Sequence, residues 1–229
     1  MPIMTDSEGV RGMPKPVKVS LTQQLYQAIR SDIITAVFRP GAVVIEADLA
    51  REYQVSKTPV REALQMLVVE GLMSVLPHRG YLIRTMGLAD VRDVMELRLM
   101  LEPQLAAAAA LNSSEEIIEA LRVQLAKQFD EASTLTDRTS AAREFHMLCV
   151  RASKNQRALG LVGGLYDETT RIHHLMPGAV QHLYSYTEQA AHQGILDAIA
   201  NNDSIAAAAA MEEHIKESNE ALLQSFYTR

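Results

Sequence analysis

The chain of 229 residues contains a single cysteine, Cys149, so no disulfide can form within it and no cysteine-based zinc site has the ligands it needs. A reducing compartment, the cytoplasm, is the expected setting. The start, Met1 to Ser20, lacks the apolar run of an export signal, and no later stretch offers about 18 apolar residues free of charge. Neither export nor membrane spanning is therefore expected. Cations are in deficit as well: 22 Lys and Arg stand against 28 Asp and Glu, a formal charge of -6, which argues against indiscriminate coating of nucleic acid. The motifs of common enzyme classes are also missing. There is no His-Glu-x-x-His helix, no Gly-x-Ser-x-Gly elbow and no phosphate loop.

With 48% hydrophobic residues, the chain can build two modest cores. The charge is divided unevenly: residues 1–86 carry ten Lys and Arg against eight Asp and Glu, while the remainder carries 12 against 20. Only the front part is compatible with phosphates. Residues 1–19, with three prolines and two glycines, read as a mobile arm. Ser20 then looks like an N-cap, and Leu21, Leu25, Ile29, Ile33 and Val37 mark one helical stripe as far as Phe38. Arg39-Pro40-Gly41 stops it. An extended piece at Val43-Val44-Ile45 precedes two short helices, about 46–53 and 57–70, joined by a tight turn. That is a helix-turn-helix pattern. Gly71 suits a C-cap, and the runs 72–76 and 81–85 flank Pro77-His78-Arg79-Gly80 as a hairpin, or wing. From Leu88 onward about six helices are expected, with breaks at 112–114, 134–139, 153–155, 177–178 and 201–203. The alanine runs at 106–110 and 206–210 indicate close helix packing. The fold class is mainly α: a winged helix-turn-helix over 20–86 and an all-helical bundle over 87–229.

The segment Ser56-Lys57-Thr58-Pro59-Val60-Arg61-Glu62-Ala63-Leu64 carries the most chemistry. Ser56 is placed to cap the helix, and Pro59 falls in its first turn, where a missing N–H costs nothing. Lys57, Thr58 and Arg61 cluster at the N-terminal end, the end of a recognition helix that reaches base edges in the major groove. A guanidinium such as that of Arg61 can fork to a guanine. For any one of these cations alone, a solvated surface charge is the simpler reading. Together, the segment resembles the signature of the GntR family of regulators, over about residues 20–85. That resemblance implies DNA contacts from Lys57, Thr58, Arg61 and the wing residues His78, Arg79 and Gly80, with Arg51 on a phosphate. Some relatives have Arg where this chain has Ala47, which offers DNA no cation at that position.

In the second part, His192 and His214 stand ten residues before and twelve after Asn202, in the turn Asn201-Asn202-Asp203. At about 1.5 Å rise per residue they reach similar depth on neighbouring antiparallel helices. His146 lies on a stripe with Ala142, Cys149 and Ser153 and joins them if its helix lines the same cavity. Three imidazoles suit Zn, Ni or a similar divalent ion with positions left open. His173, His174 and His182 read as ordinary buried or surface histidines. Arg98 either pairs with Glu102 on the surface one turn on or forks to an effector carboxylate.

Glu96-x-Arg98, Phe145-His146, His192-x-x-Ile195-x-x-Ala198-Ile199 and Met211-x-x-His214 resemble the FCD-type effector domain of the FadR subfamily, over about 88–226. The resemblance implies a homodimer on a short palindromic operator, a small organic acid as effector, and a metal held by an aspartate together with the three histidines. Here Ala142 stands at the aspartate position. Glu144 faces away from His146, whereas Glu188, one turn before His192, is better placed. Three outcomes stay open: a three-histidine site completed by water or effector, a site repaired by Glu188, or a pocket without metal. The rival functions are a metal-dependent enzyme acting on a small acid and a DNA binder with a vestigial pocket.

Overall fold

The computed structural model describes residues 19–227; the arm expected over 1–19 lies, but for Val19, outside them. The N-terminal unit comprises α1 (Leu21–Ile34), β1 (Val43–Val44), α2 (Glu46–Glu52), α3 (Lys57–Val69), β2 (Met73–Leu76) and β3 (Gly80–Ile83). Leu25, Ile29 and Ile33 of α1 are buried against Val60, Ala63, Leu64 and Leu67 of α3, with Tyr81 and Ile83 of β3 closing the core. Each large side chain so buried contributes about 1.5–3 kcal/mol. The expected helix to Phe38 is shorter by a turn. Ala36 takes a left-handed backbone (φ 57°), the Phe38 N–H turns back to the Asp32 carbonyl, and Val37 is exposed.

The three strands lie in the order β1-β3-β2, all antiparallel, with Val43 opposite Leu82 and Leu76 opposite Gly80. Gly71 ends α3 at φ 82°, and the Leu72 N–H reaches back to Leu67, as a glycine C-cap does. At Gly80 the backbone is at φ 116°, and a Cβ would overlap the Val44 carbonyl. Gly80→Ala is therefore expected to cost the head about 1–3 kcal/mol through backbone strain alone, visible as an earlier thermal transition. An unchanged melt would show that β1 can yield.

The helical unit contains α4 (Leu88–Asn112), α5 (Glu115–Phe129), α6 (Leu135–Ala152), α7 (Gln156–Leu175), α8 (Pro177–Leu183), α9 (Tyr186–Ala200) and α10 (Ser204–Tyr227). Among the described residues seven helices stand where about six were expected: the break before Pro177 is present, and a further one at Tyr184 and Ser185 separates the short α8 from α9. The break expected at 134–139 falls earlier. Thr134 and Asp137 form a capping box that starts α6 at Leu135, so polar residues read as loop belong to a helix start. Ala106, Ala109 and Ala110 of α4 and Ala207 of α10 are fully buried, and α4 packs on α10; the alanines permit the close approach. No helix among the described residues is long and apolar enough to cross a membrane.

Candidate functional site

Two sites emerge, one in each unit. In the head, Lys57 opens α3, and Ser56 holds the N-cap position with extended backbone but no side-chain capping bond. The first-turn N–H groups are left unclaimed by that hydroxyl, the arrangement that suits an anion. A groove between this helix end and the wing is lined by Lys57, His78, Arg79 and Gly80 together with Glu46, Ala47 and Tyr81. Lys57, Thr58, Arg61, His78 and Arg79 are exposed.

Arg61 forks to the Glu46 carboxylate, Nε to Oε1 at 2.9 Å and a terminal nitrogen to Oε2 at 2.7 Å, and the Tyr81 hydroxyl donates to Oε1 at 3.1 Å. Glu46 thus braces recognition helix and wing together, and Arg61 lowers its pKa. Arg51 stands apart from the groove, on the last turn of α2, paired with Asp48 in solvent at 3.0 Å.

In the helical unit the three histidines converge. His146 from α6, His192 from α9 and His214 from α10 are buried, and one ligand nitrogen of each lies within 4.8 Å of the others. The Nε2 atoms of His146 and His192 are 3.0 Å apart. Two nitrogens bound to one ion at about 2.1 Å stand roughly 3.0 Å apart at a right angle and roughly 3.4 Å apart at the tetrahedral angle, so the spacing fits a shared cation.

The surrounding carboxylates orient the rings. His146 Nδ1 donates to Glu102 Oε2 at 2.7 Å; since a carboxylate only accepts, Nε2 keeps its lone pair for a metal. Glu188 faces His192 Nδ1 at 3.9 Å and His214 Nδ1 at 3.5 Å. Both of those nitrogens are buried without a hydrogen bond among the described residues. Burial drives the proton off His214, to a pKa of about 4, and lowers the pKa of His192 as well. Neutral imidazoles with free nitrogens are the protonation state a divalent ion requires. Burial alone would raise Glu188, yet His214, His192 and His182 hold it below the ordinary carboxylate range.

Arg98 is buried to 3% exposure rather than paired on the surface. Its Nε donates to Glu102 at 2.7 Å, its other nitrogens reach the Tyr166 hydroxyl and the Met95 sulfur, and its guanidinium stacks 4.2 Å from the Tyr166 ring centroid. Against burial, Arg98 and then His146 hold the Glu102 carboxyl down to about 2. Arg98 lines the narrow cavity beside the histidines, with Ala142, Arg143, Tyr166, His173, His182 and Glu188. Glu144 is elsewhere, ion-paired to Arg151 at 2.6 Å.

Four of these residues escape the sequence reading: Glu102 and Tyr166 as the carboxylate clamp, His182 with its Nε2 3.0 Å from Glu188, and Arg143. Only Glu102 leaves a signal, its four-residue spacing from Arg98. His173 is occupied, with Nδ1 2.9 Å from the Thr169 carbonyl.

Residues 21–83 match the bacterial regulatory proteins of the gntR family, and residues 93–217, more than half of the chain, match the FCD domain. The chain belongs to the GntR family and carries an FCD domain. This GntR-family protein is similar to the HTH-type transcriptional repressor RspR of Escherichia coli K12, 28% identical over 206 residues, 89% of this chain and 90% of that one. It is also similar to the Nta operon transcriptional regulator of Aminobacter aminovorans, 32% identical over 132 residues, 57% of this chain and 62% of that one. Among solved structures, E. coli McbR/YncC shares the fold at a TM-score of 0.78 and 23% identity, covering 91% of this chain and all of that one. The GntR-family protein is a DNA-binding transcriptional regulator, and the enzyme reading is set aside because these relatives are regulators.

Proposed function

We propose that this regulator is a homodimer that places its two recognition helices in half-sites of a short palindromic operator, and that its FCD domain senses a small organic acid through a divalent metal, zinc or nickel. The convergence of three buried histidines beside a cavity carries the reading. His146, His192 and His214 hold the ion, Glu102 fixes the first ring, and Glu188 fixes the other two. The missing carboxylate at Ala142 is then not replaced by Glu188 as a ligand; the open position belongs to the effector. When bound, the ion supplies an electrophilic anchor for an effector oxygen.

In the head, Lys57, Thr58 and Arg61 address base edges and phosphates, His78, Arg79 and Gly80 of the wing follow the adjoining backbone, and Arg51 contributes a phosphate contact. The exposed apolar residues Leu97, Met100 and Leu111 on α4, with Leu161 on α7, support pairing with a second copy. The cytoplasm, where the operator is, is the place of action. Purified full-length protein is expected to carry about one zinc or nickel per chain by elemental analysis, with an organic acid co-purifying. Protein that purifies without metal and shows no thermal shift on titration with either ion would instead support the vestigial pocket.

A further inference from the structure

The head and the helical unit touch where α1 meets α7, and the contact is charged. Asp167 of α7 accepts from Arg30 of α1 on Oδ2 at 2.5 Å and from Arg143 of α6 on Oδ1 at 2.9 Å. Arg30 Nε donates in turn to Glu70 at 2.7 Å. Glu70 is the residue that ends the recognition helix α3, and its second oxygen is held by the Tyr26 hydroxyl at 2.7 Å. An unbroken line of alternating charge thus runs from Arg143 through Asp167 and Arg30 to Glu70. The inner members are mostly buried, 14% exposed for Asp167 and 19% for Arg30, so solvent screens them less than it screens surface pairs.

The first member of this line stands in the cavity wall. Arg143 lines the same cavity as His146 and Ala142, and it is bonded to Asp167 through Nε alone. Among the described residues, neither of its terminal nitrogens donates to a protein acceptor. Arg98 is the opposite case, with each of its nitrogens engaged. An anion in the cavity therefore finds free donors on Arg143 and none on Arg98 without breaking the clamp on Glu102.

The second attachment of the head is the chain itself. Arg84 is ion-paired to Asp90 at 2.5 Å, and its carbonyl accepts from Arg171. If the charged line lets go, this connection remains as a hinge.

The geometry points to Arg143 as the residue that captures the effector's carboxylate, and to Asp167 as the positioning residue that passes the capture to Arg30 and the end of the recognition helix. The capture half rests on the carboxylate-sensing function proposed above; the coupling half does not. A guanidinium that turns its fork to a carboxylate loosens its hold on Asp167. Asp167 then redistributes toward Arg30, and the set of the head on the helical unit changes. Only this differential contact transmits anything, as linkage requires.

The test uses the full chain and a duplex selected by the wild-type protein from a random pool, with affinity read by fluorescence anisotropy. Arg143→Gln and Asp167→Asn are each expected to change the dissociation constant about fivefold or more, within the usual span of coupling, both in the same sense. The double variant should do no more than the larger single change, because one line is cut in either case. Glu144→Gln, on the same helix but outside the line, should leave affinity at the wild-type value. Unchanged affinity in both singles, or additive effects in the double, overturns the coupling.

The capture half is read separately on zinc-loaded protein by calorimetry with acetate, lactate, malonate and citrate. Arg143→Lys loses the fork, so it should weaken the tightest of these acids about tenfold or more. Equal affinity in Arg143→Lys overturns the assignment of Arg143. If none of the four acids binds the wild-type protein, carboxylate sensing falls and capture with it, while the anisotropy arm still decides the coupling.

Discussion

Changing Lys57 and Arg61 together to alanine is expected to weaken binding to a selected operator duplex about a hundredfold or more while leaving the thermal melt in place. Each well-formed base contact is worth about 1–3 kcal/mol, and every 1.4 kcal/mol is a factor of about ten. Two such contacts per head, repeated in both heads of a dimer, exceed the hundredfold mark. The fold should not notice, since both side chains are exposed and solvent screens an exposed ion pair such as that of Arg61 with Glu46. That same screening lets Arg61 exchange Glu46 for a base at small cost. The selectivity between the selected duplex and a scrambled one should shrink along with the affinity. Arg51→Ala provides the contrast: removing a cation from a phosphate weakens both duplexes alike and lowers the salt slope by about one. Wild-type affinity in the double variant would remove the recognition helix from this role.

The second large effect is expected at the histidines. His192→Ala should lower zinc affinity by more than about a hundredfold, because losing even an outer partner of a metal ligand costs about 10–100-fold. Glu188→Gln should fall inside that smaller range, since it faces the Nδ1 atoms of His192 and His214. The readout is competition against a chelator of known affinity, together with the metal-induced rise in melting temperature that mass action demands. Wild-type protein should show the rise and His192→Ala should lose it. If Glu188→Gln proved as damaging as His192→Ala, Glu188 would be a ligand in its own right and the ring-orienting role would be wrong.

How much of this is legible in the sequence depends on range. The run from Ser56 to Leu64 can be read because its contacts are local: a helix start, a proline in the first turn and cations at fixed offsets. His192 and His214 can be paired because a single turn, 201–203, lies between them and sets the register of both helices. The boundary at Thr134 is ambiguous because threonine and aspartate serve turns and N-caps by the same hydrogen bonds, and the sequence does not say which. Val37 continues an apolar rhythm that the left-handed Ala36 has already broken. The clamp around Glu102 is out of reach for a different reason. Its partners His146 and Tyr166 are 44 and 64 residues away, and α4 is packed by α6, α7, α9 and α10, so no polar face separates a buried Arg98 from an exposed one. Arg30 and Asp167 look like ordinary surface charges until the two domains are set against each other.

The lone thiol of Cys149 has a consequence for what this regulator can respond to. It lies three residues beyond His146, buried, and burial lifts its pKa far above that of a free cysteine. Peroxides and disulfide reagents attack the thiolate, and here almost none exists and none is within reach. Cys149 is therefore not placed to act as an oxidation sensor.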